Sequence, residues 1–416
     1  MRLSARNARR AEEEALWPLK VLRRATAASS LEDGAFTLVL PVLAQQSTGN
    51  AGVAVVFVAV TAPWALASLP IGYLADHMSR TQLMRIVAFV RTGLAVLLAA
   101  LYLFDNPMPA MIPAVAFGLG SCGVAADIAR QSLVPQLVLD PDRFVSANTE
   151  IAKVSLLYGG FVGPLLGGWL LTLNEPVATT ALAAFAAVTM VVTLGLPKTP
   201  ALLDDPMRVR TMVSVGLEGF RHIYRRRTLL TLAALSFTVS AIWYVWETSF
   251  TAFALAGDGL DASSFTYSVL LLASAAGAVI STRAVRHATK TFPLRTVLSM
   301  SLAGWVLWFV TPALTSNWWA VIVCLVLGGG AGLLWNTVSM TARQLVTSGH
   351  LLGRTTAAYR MVTRSGRAVG AALAGVLMTH MSWQHIFALC AAVIGVVAVG
   401  IFALYRGRSM LEPEMR

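Results

Sequence analysis

The sequence predicts an all-α polytopic membrane protein, with twelve transmembrane helices in two pseudo-symmetric six-helix bundles. Three observations carry that prediction. Apolar runs near 20 residues recur along the whole chain, the length a helix needs to cross a hydrocarbon core. The composition is 56% hydrophobic and only 12% charged, about half the charged fraction of a soluble protein. Lys and Arg collect in alternate loops, as they do on the cytoplasmic side of membrane proteins.

The spans fall near 28–46, 52–75, 82–104, 108–131, 145–173 and 176–196, and again near 228–256, 263–286, 292–314, 317–345, 354–380 and 383–405. Residues 1–27 form a cytosolic basic lead-in, with Arg2, Arg6, Arg9, Arg10, Lys20, Arg23 and Arg24 and no apolar core of a cleavable signal. Residues 28–196 make the first bundle and 228–405 the second, with a cytosolic tail at 406–416. Pro197, Pro200 and Pro206 keep the start of the 197–227 linker non-helical. From Met207 to Arg227 apolar and basic residues alternate at helical spacing, which predicts an amphipathic helix along the inner surface.

Charge orients the chain. The loops near 46–51, 105–109, 173–177, 256–263, 314–318 and 380–385 hold no Lys or Arg. The alternate loops hold Arg80 and Arg85, Arg143, Arg286 and Lys290, and Arg354, besides the basic linker. Both termini are therefore expected in the cytosol of a cell-membrane protein. The net charge of +12 follows from that topology and does not imply nucleic-acid binding. Cys122, Cys324 and Cys390 lie in apolar segments at no disulfide or metal spacing, and nothing points to a metal or cofactor.

The halves echo each other. Gly163-Pro-Leu-Leu-Gly167-Gly168 corresponds to Gly370-Ala-Ala-Leu-Ala-Gly375, each preceded by a base, Lys153 and Arg360. Internal repeats of this kind belong to transporters, with the substrate site near mid-membrane.

The loop between spans 2 and 3 reads Gly-x-Leu-Ala-Asp-x-x-x-Arg, from Gly72 through Leu74, Ala75 and Asp76 to Arg80. With twelve spans in a 6+6 arrangement, it resembles the signature of the major facilitator superfamily. It departs at His77, Ser79 and Thr81, where Arg, Gly and a base are usual. Within that superfamily the chain is similar to the branch of enterobactin and macrolide exporters. The similar pieces are Leu31-Glu-Asp33-Gly34, Ala129-Arg130-Gln-Ser-Leu-Val-Pro135, Ser146-Ala-Asn148, Gly163-Pro164 and Leu352-Gly-Arg354 with Ala358-Tyr359-Arg360. The resemblance implies a gating latch. In it Asp76 meets the N-terminus of span 11, whose dipole favours an anion. Arg80 pairs with an acid at the foot of span 4, for which Asp127 is well placed. Gly72 is expected to let span 2 approach a neighbour closely. The plainer reading is a solvated turn with topology charges.

Other residues are candidates for substrate or proton contact. Glu32 and Asp33 lie inside span 1, where an acid costs about 2.5–3.5 kcal/mol on insertion scales and so seeks a cavity or partner. Adjacent helical side chains diverge by about 100°, so one of the two faces a cavity. Asp33, which stands in the position the resemblance implies, is the choice, against the reading of an acid near the cytosolic edge. Ser236, Ser240, Trp243 and Glu247 share one face of span 7, which suits a water-filled cavity or, for Glu247, an outer aromatic belt. Arg360, Arg364 and Arg367 share a face of span 11. Arg367 meets an anionic group deep in the span or snorkels to the inner surface. Glycines at 159–160 and 328–332 lie inside spans, where they permit close packing or bending.

The expectation is a secondary active exporter of a small amphipathic molecule (a drug, siderophore or metabolite), with protons as coupling ion and the lipid bilayer as surroundings. Alternatives are a lipid- or lysophospholipid-moving transporter and a non-transporting sensor on the same fold. An enzyme is disfavoured, because the six histidines are scattered and His222, His287, His350 and His385 sit in loops or near helix ends.

Overall fold

The computed structural model describes residues 2–106, 108–137, 144–200, 220–346 and 352–404. Among them there is no strand. The helices are α1 (Arg2–Leu66), α2 (Ser68–His77), α3 (Arg80–Leu103), α4 (Met111–Leu137), α5 (Phe144–Ser155), α6 (Gly163–Leu173) and α7 (Glu175–Leu194). After the linker come α8 (Arg227–Leu255), α9 (Ser264–Ile280), α10 (Thr282–Thr291), α11 (Leu294–Leu314), α12 (Trp318–Val346), α13 (Leu352–His380) and α14 (Trp383–Leu404). One turn and a half of π-helix, Leu156–Val162, joins α5 to α6.

Among the described residues nine helices are long and apolar enough to cross a membrane, or ten if the bent pair α9–α10 is one span. The first of these, Trp17–Leu66, is 50 residues long and holds two spans. They meet at Gly49, whose φ of 65° breaks the helical path where the first outward loop was expected. A side chain there would be strained, and glycine is not. The remaining span is α13, long enough but interrupted by Arg354, Arg360, Arg364 and Arg367. Large apolar side chains stand exposed on many helices, among them Phe89, Val191, Ile280 and Val396, as a lipid-facing surface requires.

Two compact units emerge: Met1–Leu40 with Ala67–Arg208, and Pro41–Leu66 with Val209–Arg416. This differs from the expected division, because the second half of α1 clusters with the second unit. The reason is local packing: Phe57 meets the Tyr244 ring edge-on at 6.2 Å, and Trp64 lies under Arg364. Val21, Leu22 and Ala25 are buried with Leu83, Met84 and Ala129 in the core of the first unit. Of the expected amphipathic linker helix, residues 201–219 lie outside the described residues, and 220–225 are helical.

Sequence explains the helix ends. Asn174 caps α7 by accepting from the Val177 N–H at 2.7 Å, with Pro176 in the first turn. The other end of α7 is closed by Arg85, which donates to the carbonyls of Leu194 (2.9 Å) and Leu196 (2.8 Å). A cation suits the negative end of a helix dipole. Thr81 adds a bond to the Pro197 carbonyl at 2.7 Å, so the start of α3 is pinned beneath the end of α7.

The repeat is visible in the packing. A Cβ added at Gly163 would stand 2.6 Å from the Leu31 carbonyl oxygen of α1. One added at Gly366 of α13 would stand 2.6 Å from the Phe237 carbonyl oxygen of α8. One helical turn on, Gly167 abuts Ala35 and Gly370 abuts Ala241. Each unit thus sets a small-residue stripe against its own first long helix, which only a missing Cβ allows. Gly72 is different, and the close approach expected there is not observed: a Cβ on it would meet nothing within 4 Å. Gly163→Val and Gly366→Val are accordingly expected to lower stability by about 1–3 kcal/mol each through overpacking, whereas Gly72→Ala is neutral or mildly stabilising. Thermal unfolding of the detergent-purified protein checks all three.

Candidate functional site

Three helical stripes in the first unit line an open cavity of about 430 Å³. From α1 come Ser30, Asp33, Gly34 and Thr37, spaced i, i+3, i+4, i+7. From α4 come Asp127, Arg130 and Val134, and from α5 Asn148, Ile151 and Ser155. The π-turn brings Gly159 to the same wall, and Ser30 and Ser155 meet across it with hydroxyl oxygens 3.3 Å apart. The volume is in the range that holds a small molecule, and the lining is unusually polar for a membrane segment.

Behind the wall lies a buried ion cluster. The Arg91 guanidinium of α3 donates Nε–H to Glu32 at 2.7 Å and Nη2–H to Asp33 at 2.5 Å. The Arg91 side chain is 4% exposed and that of Glu32 0%, while that of Asp33 is 48% exposed. The two neighbouring acids therefore part as helical geometry demands. Glu32 turns into the protein, and Asp33 divides itself between Arg91 and the cavity. Arg91 was missed in the sequence. It stands alone in the apolar run Ile86–Phe104, and a lone cation at that depth signals an acid partner.

The second unit holds a different arrangement. On α8 the Trp243 indole N–H donates to Glu247 at 2.9 Å, one turn away. The Trp243 ring packs against Trp305 at 5.2 Å and Trp308 at 4.7 Å. The Arg367 guanidinium of α13 lies 5.3 Å from the Tyr244 ring centroid and 3.5 Å from its hydroxyl. Arg364 sits directly over Trp64, 3.4 Å from the centroid. Such cation–π contacts stabilise a guanidinium away from water. The expected stripe on α8 splits up. Ser236 is buried and bonded to the Tyr359 hydroxyl, which itself donates to the Leu232 carbonyl at 3.0 Å. Ser236 therefore ties α8 to α13 and faces no open space. Ser240 and Glu247 are half-buried.

The expected latch residues are only partly in view. Gly72 lies on α2, and the side chain of Asp76 lies outside the described residues. Arg80 opens α3 and is buried, at 2% exposure. Asp127 is on the cavity wall with Asp33 and Arg130.

The model of the Major Facilitator Superfamily matches residues 25–371 and 286–414. The chain belongs to the Major Facilitator Superfamily. As a member it is a multi-pass membrane transporter. It is similar to the multidrug efflux pump Tap of Mycobacterium tuberculosis, 25% identical over 418 residues and 93% of each chain. It is also similar to the enterobactin exporter EntS of Shigella flexneri, 24% identical over 307 residues, 72% of this chain and 69% of that one. Among solved structures the nucleoside transporter NupG aligns with a TM-score of 0.74 at 14% identity, over 94% of this chain and 100% of that one. A POT family transporter in complex with a thioalcohol-conjugated peptide aligns at 0.75 and 13% identity, over 93% and 95%. At that identity the structures show the superfamily's fold and no more.

The ion cluster sets a clear expectation. Removing one member of a buried ion pair strands the other and costs about 3–5 kcal/mol. Arg91→Ala, which leaves two carboxylates without their cation, should destabilise the protein by that order, and Glu32→Ala, which leaves Arg91 on Asp33, by less. The Glu32→Ala/Arg91→Ala double variant should lose less than the sum of the two single changes. A double-mutant cycle on thermal unfolding measures the coupling, and simple additivity of the two changes would contradict the pairing.

Proposed function

We propose that this transporter is an exporter that exchanges protons for a small amphipathic molecule by alternating access, in the cell membrane with both termini cytosolic. The observation that carries this reading is the division of Asp33 between a buried guanidinium and a cavity. A carboxylate in that position has two exclusive uses. Unprotonated, it holds Arg91 and offers its remaining lone pairs to a cationic group in the cavity. Protonated, it releases both.

Glu32 makes the second state tolerable. When Asp33 takes a proton, Arg91 keeps its 2.7 Å bond to Glu32 and is never left as an unpaired charge in low dielectric. Two acids beside one base thus separate a structural task from a titrating one. Proton and substrate then compete for Asp33, which is the requirement for exchange. Asp127 and Asp33 against Arg130 on the cavity wall favour a cationic amphipath. Glu247, held by Trp243, and Arg367, on Tyr244, are the proposed contacts in the second unit. The substrate is moved and not chemically changed. The efflux pump and exporter named among its relatives support the direction.

The test is uptake of cationic, neutral and anionic amphipaths into inside-out vesicles with an imposed pH gradient. Cationic compounds should accumulate, and a protonophore should abolish the accumulation. Asp33→Asn should reduce gradient-driven uptake at least tenfold while the protein inserts normally. Accumulation indifferent to the gradient would sink proton exchange. For the gating role proposed for Gly72, Asp76, Arg80 and Asp127, Asp76→Asn should slow turnover and leave insertion and thermal stability near normal. Unchanged turnover in that variant would remove the latch.

A further inference from the structure

Between Asp261 and Glu412 the sequence holds eleven Lys or Arg residues and no Asp or Glu. The cations of α9 to α14 must therefore find their counter-charges outside those helices. Two already rest on aromatic rings, Arg364 on Trp64 and Arg367 on Tyr244. Those of α10 do not.

This ten-residue helix bends by 46° from α9. Val285 and Ala288 are buried and fix it against α12. The opposite face carries Arg283, Arg286, His287 and Lys290, all exposed, at i, i+3, i+4 and i+7. No ion pair involves any of them among the described residues. By rise per residue the stripe is about 10 Å long. Exposed apolar side chains flank it, Val279 and Ile280 before and Phe292 after. A basic stripe bracketed by exposed apolar residues, turned out of a membrane span, has the pattern of a helix seated at a bilayer interface.

We propose that the outer face of α10 is a binding site for anionic phospholipid headgroups. The charge complement is one-sided, since no acid falls between Asp261 and Glu412. The flanking apolar side chains decide between lipid and free anion. Ile280 and Phe292 need an acyl environment, which a dissolved phosphate does not provide. The site lies outside the cavity of the first unit and is independent of the transport reading.

The test uses the full chain in nanodiscs of phosphatidylcholine with a varied fraction of phosphatidylglycerol. After extraction into neutral detergent, retained lipid is quantified by mass spectrometry. The wild type should retain phosphatidylglycerol well above its bulk fraction. R283Q/R286Q/K290Q should lose that preference by about tenfold or more, since each surface cation contributes a factor of about five. R283K/R286K should keep it, and so should R225Q, an exposed cation elsewhere. If the triple variant does not purify intact, R286Q alone should still weaken retention by about fivefold. Equal retention by wild type and variants would overturn the proposal. So would full displacement of the lipid by millimolar inorganic phosphate, which would assign the stripe to soluble anions.

Discussion

A guanidinium buried between two consecutive carboxylates sets the terms for the first unit. Arg91 is held by Glu32 and Asp33 within an apolar span. Charges at that depth persist only when paired and hydrogen-bonded. Helical geometry then does the rest. Side chains one residue apart on α1 cannot point the same way, so one acid is committed to the interior and the other to the cavity. The close seat of Gly163 and Gly167 on α1 holds the helix that carries both. The π-turn that follows α5 widens the backbone path just where Gly159 reaches the cavity wall. Such widened turns recur at functional positions.

The second unit solves the same electrostatic problem by other means. Its deep arginines lie on the faces of Trp64 and Tyr244. An indole face has no proton to exchange, so the attraction is insensitive to protonation. The first unit is the opposite case, because it holds its arginine by two carboxylates. The two units therefore differ in kind although their packing repeats. One holds its charges by titratable groups and the other largely by fixed quadrupoles, reinforced by the rings of Trp243, Trp246, Trp305 and Trp308.

Most of the architecture was legible from hydropathy and loop charge, because a bilayer imposes a fixed span length and a fixed sidedness. The superfamily was legible from the loop at Gly72–Arg80. Candidate residues were legible where a residue type is costly in lipid: Asp33, Glu247 and Arg367 all announce themselves as ionisable groups in apolar runs. What escaped is partnership. Arg91 was visible as a lone cation, yet its bond to Glu32 joins residues 59 apart in sequence, and no local period encodes that. Ser236 was read from its spacing as a cavity group, but spacing fixes a face and not what stands opposite it, here Tyr359. Gly72 shows the converse: glycine at a helix end signals small size and says nothing of whether a neighbour uses it.

The membership of Pro41–Leu66 in the second unit has a temporal side. A ribosome makes the chain from its N-terminus, so this segment enters the bilayer long before the helices it belongs with. Trp64 and Arg364 are 300 residues apart. At about 5–20 residues per second their meeting waits roughly 15–60 s. During that interval the intervening helices are made, and Tyr244 of α8 is available to Phe57 before Arg364 is available to Trp64. The contacts of Pro41–Leu66 with α13 cannot form until α13 has been translated.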